Sequence, residues 1–488
     1  MRMRLVDRIK AAYRAFAGYH MQEWSPARRY WVNRSQGARK DIPYAVRRRM
    51  LDWSRELERR DGLFNRFLEL CEQYVIGPSG LKITSNSVDE EWATRANAEW
   101  DGWQPYCDIA TRFSFGTRQG LIEREVEVAG EIFILKLYGS SNRPRIQLIE
   151  SESVETPDNL KADENKLIGG RLLSDGVEMD EWGRPLRYWV RDSDDNGKVT
   201  WTPHEASEII HIYDPARVGQ VRGLPIVYPV LKDFIDLSEL QDLEMVAAKD
   251  AARTSKVIKP ASGDIDAEQL LRTGSVANST TGIREYYTEV VTGGENIILR
   301  PGDEYQQFAS ERPSVAVQSF WDYVSARAAA GLGLPVEVMI MRSLQGTVAR
   351  GMLQMAGSFF RNRAAMRAES FALIWEHVVG SMVRGARPGD WRKIKYTPPR
   401  GIDVDPGYNA EGTRKAIEAG ITTFDEVCAS NGQDWREVLR QRAREASYVR
   451  QLAAEYGVDP SEISTLQIDR PERIQTENPR EAIPVETV

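Results

Sequence analysis

The chain of 488 residues is long enough for two or three domains, and its 41% hydrophobic and 28% charged residues are typical of a soluble protein that forms a core. No apolar run reaches the length of a membrane-spanning helix, so the sequence predicts no transmembrane segment. The cysteines, Cys71, Cys107 and Cys428, are scattered and odd in number, which predicts a reducing compartment and argues against a disulfide framework or a structural zinc site.

The net charge of −7 hides an asymmetry between the start of the chain and the rest. Residues 1–60 carry 16 Lys or Arg against 6 Asp or Glu, so the remaining 428 residues sum to −17. Residues 1–20 have the pattern of an amphipathic helix, whose apolar face holds Leu5, Ile9, Ala12, Tyr13 and Phe16. A basic beginning on an acidic body indicates contact with nucleic acid or another acidic surface, or else a solvated basic face.

Residues 42–75 have the periodicity of two helices. On the first helix Arg47, Arg48 and Arg49 are expected to be exposed. On the second, a buried stripe is predicted for Leu63, Phe67, Leu70 and Tyr74.

The pattern changes from helix to strand between Gly77 and Asp214. The strand candidates are residues 126–128, 131–138, 145–150 and 186–191. A helix before them is expected to place Trp92, Trp100 and Trp103 in the core.

The second half of the chain is predicted to contain three long helices. The first, Gly223 to Asp250, has an acidic face with a balance of −4. Short strands around a small helix at 266–272 are expected within residues 251–312. A second helix starts at Pro313 and ends in the sequence GLGLP at 331–335, because glycine admits positive φ and proline cannot continue a helix.

A loop, MRSLQGT at 341–347, separates this stop from a third helix of unusual length, from about Val348 to Val383. Gly351 and Gly357 allow a bend near its start. The stretch 342–387 holds seven arginines against two glutamates, a balance of +5. After an extended segment at 384–399, residues 409–456 return to helix, with a capping box from Thr423 to Glu426.

In this order the segments resemble the core of the portal proteins of tailed bacteriophages, most closely those of the lambda type. The matching motifs span roughly residues 60 to 450 and include DGLFN at 61–65, YVIG at 74–77, IIHIYDP at 209–215, GQVRGLP at 219–225, LRPGD at 299–303 and AAGLGLP at 329–335. The sequence departs from the lambda pattern just before Ala349, where Gln345-Gly346-Thr347 replaces an aromatic residue followed by serines.

The resemblance implies an α+β portal fold with a mixed α/β wing, a two-helix stem, a small β-containing clip, a long kinked wing helix and a helical crown. The implied parts are the N-terminal arm and first part of the wing at 1–222, the first stem helix at 223–250, the clip at 251–312, the second stem helix at 313–332, the tunnel loop at 333–349, the long wing helix and return strand at 350–400, the crown at 401–458 and a loosely ordered acidic tail at 459–488.

The resemblance also implies candidate site residues. The tunnel constriction would contact DNA phosphates without reading bases through Arg342, Ser343, Leu344, Gln345, Gly346 and Thr347. Alternatively, Leu344 and residues 339–341 bury into a neighbouring subunit. The channel wall would repel the duplex through Asp233, Asp236, Glu239 and Asp242. Basic contacts to DNA or to a neighbouring subunit are expected from Arg350, Arg361, Arg363 and Arg367.

The implied function is that of a non-enzymatic, dodecameric ring at one capsid vertex, which nucleates head assembly, passes DNA inward and lets it exit. The implied partners are double-stranded DNA without sequence specificity, the terminase large subunit, the head-tail adaptor, and the major capsid and scaffolding proteins. The implied location is the virion, and the host cytoplasm during assembly. No cofactor, metal or membrane is expected.

Motifs for catalysis are missing from the sequence: it has no phosphate-binding Gly-x-x-x-x-Gly-Lys-Ser/Thr, no His-Glu-x-x-His and no Gly-x-Ser-x-Gly. His204 and His211 have no thiol or carboxylate at ligand spacing, which favours structural roles for both. Two alternatives stay open at this point. One is a DNA-binding nuclease or recombinase subunit, which could use Glu150, Glu152 and Glu155; the other is a different scaffold component of a virion.

Overall fold

The computed structural model describes residues 37–139, 142–193, 197–253, 315–341, 346–402 and 406–459, four short strands between residues 256 and 298, and Ile463. Several sequence predictions lie outside these residues: the amphipathic segment 1–20, the small helix 266–272, the acidic tail beyond Asp459, and the tunnel-loop positions Arg342, Ser343, Leu344 and Gln345. The chain divides into two compact units, Met1–Tyr396 and Thr397–Val488.

The first unit begins with three helices, of which the second and third are joined by a single capping residue. Helix α1 is Ala38–Asp41, α2 is Tyr44–Arg60 and α3 is Gly62–Cys71, which continues into one π-helical turn, Glu72–Ile76. The side chain of Asp61 accepts a hydrogen bond from the backbone N–H of Phe64 and so caps α3. The predicted helix pair is therefore confirmed, and Phe67 and Leu70 of the predicted stripe are buried.

Two further helices, α4 (Glu90–Trp103) and α5 (Phe115–Ala129), precede the main strands. Trp92, Trp100 and Trp103 are buried as expected. The predicted strand at 126–128 is wrong, because these residues form the last turn of α5. Gly130 ends that helix with a φ of 85°, and a Cβ there would lie 2.2 Å from the backbone of Leu224, so the chain turns at a place that only glycine fits.

Two antiparallel sheets follow. Strand β1 (Lys82–Ser85) precedes these sheets along the chain and forms a separate two-stranded sheet with β14 (Ile394–Thr397). The three-stranded sheet has the order β3-β2-β9, with β2 at Glu131–Tyr138, β3 at Pro144–Ile149 and β9 at Ile209–Tyr213. The five-stranded sheet is a meander of β4 (Leu167–Ile168), β5 (Arg171–Ser174), β6 (Val177–Met179), β7 (Pro185–Ser193) and β8 (Val199–Glu205). The strands predicted at 131–138, 145–150 and 186–191 are confirmed.

The two sheets share one hydrophobic core. Phe133 of β2 lies opposite Ile149 and His211 in the register of its sheet. It also packs edge-on against Tyr188 of β7, with ring centroids 5.6 Å apart. Val177 of β6 is buried in the same cluster.

The long helices of the second half are α6 (Leu231–Arg253), α7 (Val315–Leu332), the short α8 (Val336–Ile340) and the 37-residue α9 (Gly346–Met382). Helix α6 starts eight residues later than predicted, because Pro225 and Pro229 interrupt a helix that would begin at Gly223. Between α6 and α7, β10 (Lys256–Ile258) pairs with β13 (Asn296–Ile298), and β11 (Ser275–Ala277) pairs with β12 (Arg284–Tyr286). Short strands in this region were expected.

The second unit is helical, with α10 at Pro406–Glu418, α11 at Phe424–Ser430 and α12 at Trp435–Tyr456. The predicted capping box at the start of α11 is confirmed. The backbone N–H of Glu426 donates to Thr423 Oγ1 at 3.2 Å, and the backbone N–H of Thr423 donates to Glu426 Oε2 at 3.1 Å. Within the described ranges, none of the helices combines the length and apolar character that a bilayer crossing requires.

Arg47 is buried, which corrects the expectation that all three arginines of α2 are exposed. Its Nη2 donates to Asp175 Oδ1 at 3.1 Å and its Nη1 donates to Ser151 Oγ at 2.9 Å. Arg47 also pairs with Glu131, the first residue of β2. These partners lie far along the chain, so a run of three arginines read locally gives no sign of them.

Glu131 is the centre of this buried network. Its carboxylate accepts hydrogen bonds from Arg222 Nε at 2.8 Å and from the backbone N–H of Gly223 at 2.7 Å, and it lies 2.9 Å from His211 Nε2. Burial alone would raise the pKa of Glu131, but Arg222, His211 and Arg47 together hold that pKa well below its ordinary value. The charged carboxylate therefore ties α2, the three-stranded sheet and the segment before α6 together.

Arg47→Met should lower the free energy of unfolding by about 3–5 kcal/mol, because it leaves buried carboxylates of Asp175 and Glu131 without one cation. The matched control is Arg48→Met. Arg48 pairs with Asp52 at 3.1 Å on the exposed side of α2, and its loss should cost less than about 1 kcal/mol. Urea unfolding of the two variants measures the difference, and equal midpoints would contradict a central role for Arg47.

Candidate functional site

The segment that resembles a stem and tunnel begins with two packed helices, α6 and α7. Arg327 of α7 donates from Nε to Asp233 Oδ2 of α6 at 3.0 Å. One turn further along α7, a Cβ on Gly331 would lie 2.0 Å from Val230, just before α6 begins. The late part of α7 thus faces the early part of α6, so the two helices run antiparallel there and approach closely at a glycine.

The acids predicted to line a channel divide into two groups. Asp233 is buried and paired with Arg327, so the expectation that it faces a channel is wrong. Its carboxylate instead joins the two helices. Asp236, Glu239 and Asp242 are exposed. Glu239 lines a cleft beside α2, whereas Asp236 and Asp242 lie outside that cleft.

The helix stop after α7 is formed as the sequence predicts. Gly333 has a φ of 93°, and a Cβ there would lie 2.7 Å from the ring of Phe359 on α9. Pro335 then precedes α8, in which Met339 is buried within the same subunit. The predicted loop 333–349 is therefore shorter than expected, because it contains α8 and the first residues of α9.

Of the six predicted tunnel-loop residues, Gly346 and Thr347 fall within the described structure. Both are exposed and begin α9, two residues before the predicted start of that helix. Gly346 has a φ of 70°, and among the described residues no atom lies within 4 Å of the position a Cβ would take. Four residues thus connect Met341 to α9.

Two of the four basic residues predicted to contact DNA or a neighbouring subunit are paired inside the subunit, where Arg367 is buried and Arg363 is half-buried. Arg367 donates from Nη1 to Asp214 Oδ1 at 2.8 Å and from Nη2 to Asp214 Oδ2 at 2.7 Å, and it also pairs with Glu123. Arg363 pairs with Glu127. The prediction is wrong for the buried Arg367, and Arg363 is engaged within the subunit as well: both residues hold α9 against α5, and Arg367 also binds Asp214 at the end of β9.

The other two predicted contacts, Arg350 and Arg361, are exposed on the first half of α9. Nothing in the local sequence distinguishes these two arginines from Arg363 and Arg367. The acids that bind Arg367, Asp214 and Glu123, lie 153 and 244 residues away along the chain. Which arginines are exposed therefore depends on the fold.

The ion-pair cluster contains a carboxyl group with an unusual affinity for protons. Burial raises the pKa of Glu127 to about 8, with Arg363 opposing the shift and Glu123 adding to it. For Asp214, burial acts in the same direction, but the hydrogen bonds from Arg367 bring its pKa below the ordinary value.

Cys71, Glu123 and Glu127 are, among the described residues, the group whose potential metal-ligand atoms lie within 4.8 Å of one another. A divalent cation placed there would stand against the guanidinium groups of Arg363 and Arg367, which already pair with the same carboxylates. The chemistry of this donor set therefore fits an ion-pair cluster rather than a cation site.

The Glu127→Gln variant should become more stable, compared with the wild type at the same pH, as the pH rises. Between pH of about 4.3 and 8 the folded chain retains a proton on Glu127 that the unfolded chain has lost, so this group's contribution to stability falls as pH rises through that window. Glutamine cannot titrate, and the melting temperature of the variant should gain on that of the wild type by about 2–4 °C or more from pH 5.5 to 8.

The control for this prediction is Glu69→Gln, which replaces an exposed glutamate of α3. Its melting temperature should keep a constant offset from the wild type across the same pH range. A constant offset for Glu127→Gln as well would show that Glu127 titrates normally.

Comparison with known proteins points in one direction. Residues 25–348, which include α6, α7 and the start of α9, match the family model described as phage portal protein, lambda family. The chain is 25% identical over 445 residues to the probable portal protein of Halomonas phage phiHAP-1, covering 84% of this chain and 82% of that protein. It is also 25% identical over 417 residues to portal protein B of Escherichia phage lambda, covering 76% and 75%.

Among solved structures, the chain is similar to one from the neck of an empty GTA particle computed with C6 symmetry. The sequence identity is 11% and the TM-score is 0.48, and the match covers 78% of this chain and 93% of that one.

Proposed function

Because the chain belongs to the lambda family of phage portal proteins, we propose that it assembles into the ring that forms the DNA channel at one vertex of a phage capsid. In this proposal α6 and α7 are the stem helices, the strands between them belong to the clip, α9 is the long wing helix, and α10 to α12 form the crown. The residues between Met341 and α9 form the constriction.

The observation that carries the proposal is the surface of the paired helices α6 and α7. Asp236 and Asp242 are exposed on α6. Asp233, by contrast, binds Arg327 and joins the two helices. A channel that passes DNA must not bind phosphates tightly, because each phosphate neutralised by Lys or Arg releases counterions and deepens the binding well. Exposed carboxylates repeated around a ring would let the duplex slide.

The same two helices also expose large apolar side chains. Leu243 on α6 is 67% exposed, and Phe320 and Tyr323 on α7 are 55% and 63% exposed. Exposed apolar groups of this size on neighbouring helices are typical of protein interfaces. A ring of identical subunits would bury them against the next copy, through a head-to-tail contact between two different patches.

The finer parts of the proposal follow from the family. The ring is a dodecamer that nucleates head assembly with the major capsid and scaffolding proteins, docks the terminase large subunit, seats the head-tail adaptor and conducts double-stranded DNA without sequence specificity. It is located in the virion, and in the host cytoplasm during assembly. Its role is structural rather than enzymatic.

The nuclease or recombinase alternative finds little support in the carboxylates that could serve it. Glu152 accepts a hydrogen bond from Arg55 at 2.9 Å, and Glu155 accepts one from the Tyr44 hydroxyl at 3.1 Å and pairs with Arg191 at 3.2 Å. These acids join elements of the fold, and each is engaged with a different partner.

Purified full-length protein should form rings with an axial hole when viewed by negative-stain electron microscopy. Phe320→Asp combined with Tyr323→Asp should shift the protein towards monomers, because it places charge in the proposed subunit contact. Trp182→Asp is the matched control, since Trp182 is 86% exposed on a turn of the five-stranded sheet. A wild-type protein that stays monomeric at micromolar concentration would contradict the proposal, and equal loss of rings in both variants would exclude α7 as the contact.

Asp236→Lys combined with Asp242→Lys should leave ring formation intact and reduce DNA packaging in vitro by at least about tenfold, because the new cations bind phosphates in place of repelling them. The defect should lessen as salt rises, since counterion release weakens at higher ionic strength. The control Asp233→Asn should instead lower thermal stability, as it weakens the bond to Arg327. Normal packaging by the double variant would show that these acids do not face the channel.

A further inference from the structure

A cleft of about 1080 Å³ lies between the end of α2, the start of α3 and the helices α6, α7 and α8. Its apolar lining includes Trp53, Leu57, Leu63, Phe234, Leu237 and Trp321. The cleft is at the upper end of the size of small-molecule pockets and is bordered by several helices. Its size and apolar lining suit the apolar face of a helix, which binds grooves through side chains spaced three and four residues apart.

The rim of the cleft is acidic. Its acidic residues are Glu56, Asp61, Glu239, Asp322 and Glu337, and Arg60 is the basic residue among the lining side chains. Glu56 is already paired with Arg59 and Arg60, each at 2.7 Å. With five acids against one arginine, the charged residues of the lining carry a net negative charge that a basic helix would complement.

We propose that the N-terminal amphipathic segment, residues 1–20, binds this cleft, either in its own subunit or in a neighbouring copy. The segment lies outside the described residues, and its sequence carries five Lys or Arg against one Asp. Its apolar residues Leu5, Ile9, Tyr13 and Phe16 recur at the spacing of one helical face. The segment thus matches the cleft in both respects, apolar residues for the floor and cations for the rim.

The length of the chain allows this contact. The described structure begins at Gly37, next to α1, and the cleft borders the far end of α2. Helix α2 has 17 residues and is therefore about 25 Å long. Residues 21–36 span up to about 50 Å when extended, so the segment can reach the cleft of its own subunit.

The proposal gives the basic start of the chain a protein partner in place of nucleic acid, and it does not depend on the proposed portal function. The acid that it uses, Glu239, is distinct from Asp236 and Asp242, which are assigned to the channel. The cleft proposal and the channel proposal can therefore be tested, and rejected, independently of each other.

Disulfide cross-linking in the full-length protein tests the contact. Ala12→Cys places a thiol on the apolar face of the segment, and Ser238→Cys places one on the lining of the cleft. The native cysteines are buried, which keeps the background low. After mild oxidation this pair should cross-link at least tenfold more than the matched control pair, Ala12→Cys with Ser358→Cys, in which Ser358 is exposed on α9 outside the cleft.

A cross-linked product of monomer size would identify the subunit's own cleft, and one of dimer size a neighbour's; either supports the proposal. Equal yields for the test and control pairs would overturn it.

Charge variants of the test pair separate specific docking from loose proximity. Glu239→Lys should reduce the cross-linking yield several-fold, and adding Arg8→Glu should restore part of it. The control Asp236→Lys, on the same helix but outside the cleft, should leave the yield unchanged. A 30-base-pair duplex added at moderate salt should not compete. If the duplex abolishes the cross-link, the segment prefers nucleic acid and the proposal is wrong.

Discussion

The guanidinium group of Arg367 fixes the long helix α9 against the rest of the first unit. It is fully buried and binds Glu123 of α5 and Asp214 at the end of β9. Arg363 lies one turn earlier and pairs with Glu127, one turn along α5 from Glu123. These two arginine–glutamate contacts in successive turns fix the register of the two helices, and a shift by one residue would leave buried polar groups without partners. The position of Gly346, and with it one end of the loop before α9, follows from this constraint.

The buried carboxylate of Glu131 fixes the segment before α6 in a similar way. Glu131 binds the backbone N–H of Gly223, in the segment that leads into α6, and Arg222 beside it. Helix α6 then binds α7 through Asp233 and Arg327. Helices α6 and α9 are thus both connected to the sheets by buried side chains.

Local patterns predicted the elements whose causes are local. The apolar run of β2, the stop at Gly333 and Pro335, and the capping box at Thr423 depend on neighbouring residues, and each was predictable from the sequence. The roles of Arg47, Asp233 and Arg367 depend on partners at least 84 residues away, so the sequence presents them as ordinary surface charges. The end of α5 was mistaken for a strand because the alternation at 126–128 is too short to distinguish from one helical turn.

The count of charges in a segment is consequently a poor guide to what that segment presents to a partner. The stretch 342–387 has a net charge of +5, yet two of its arginines bind acids inside the subunit. Arg363 pairs with Glu127, and Arg367 pairs with Glu123 and Asp214. Of the four arginines predicted to contact DNA or a neighbouring subunit, Arg350 and Arg361 are exposed, and both lie in the first half of α9. The exposed arginines of this helix therefore lie in its N-terminal half. The exposed acids of α6, Asp236, Glu239 and Asp242, give that helix a negative surface, so the two long helices present surfaces of opposite sign.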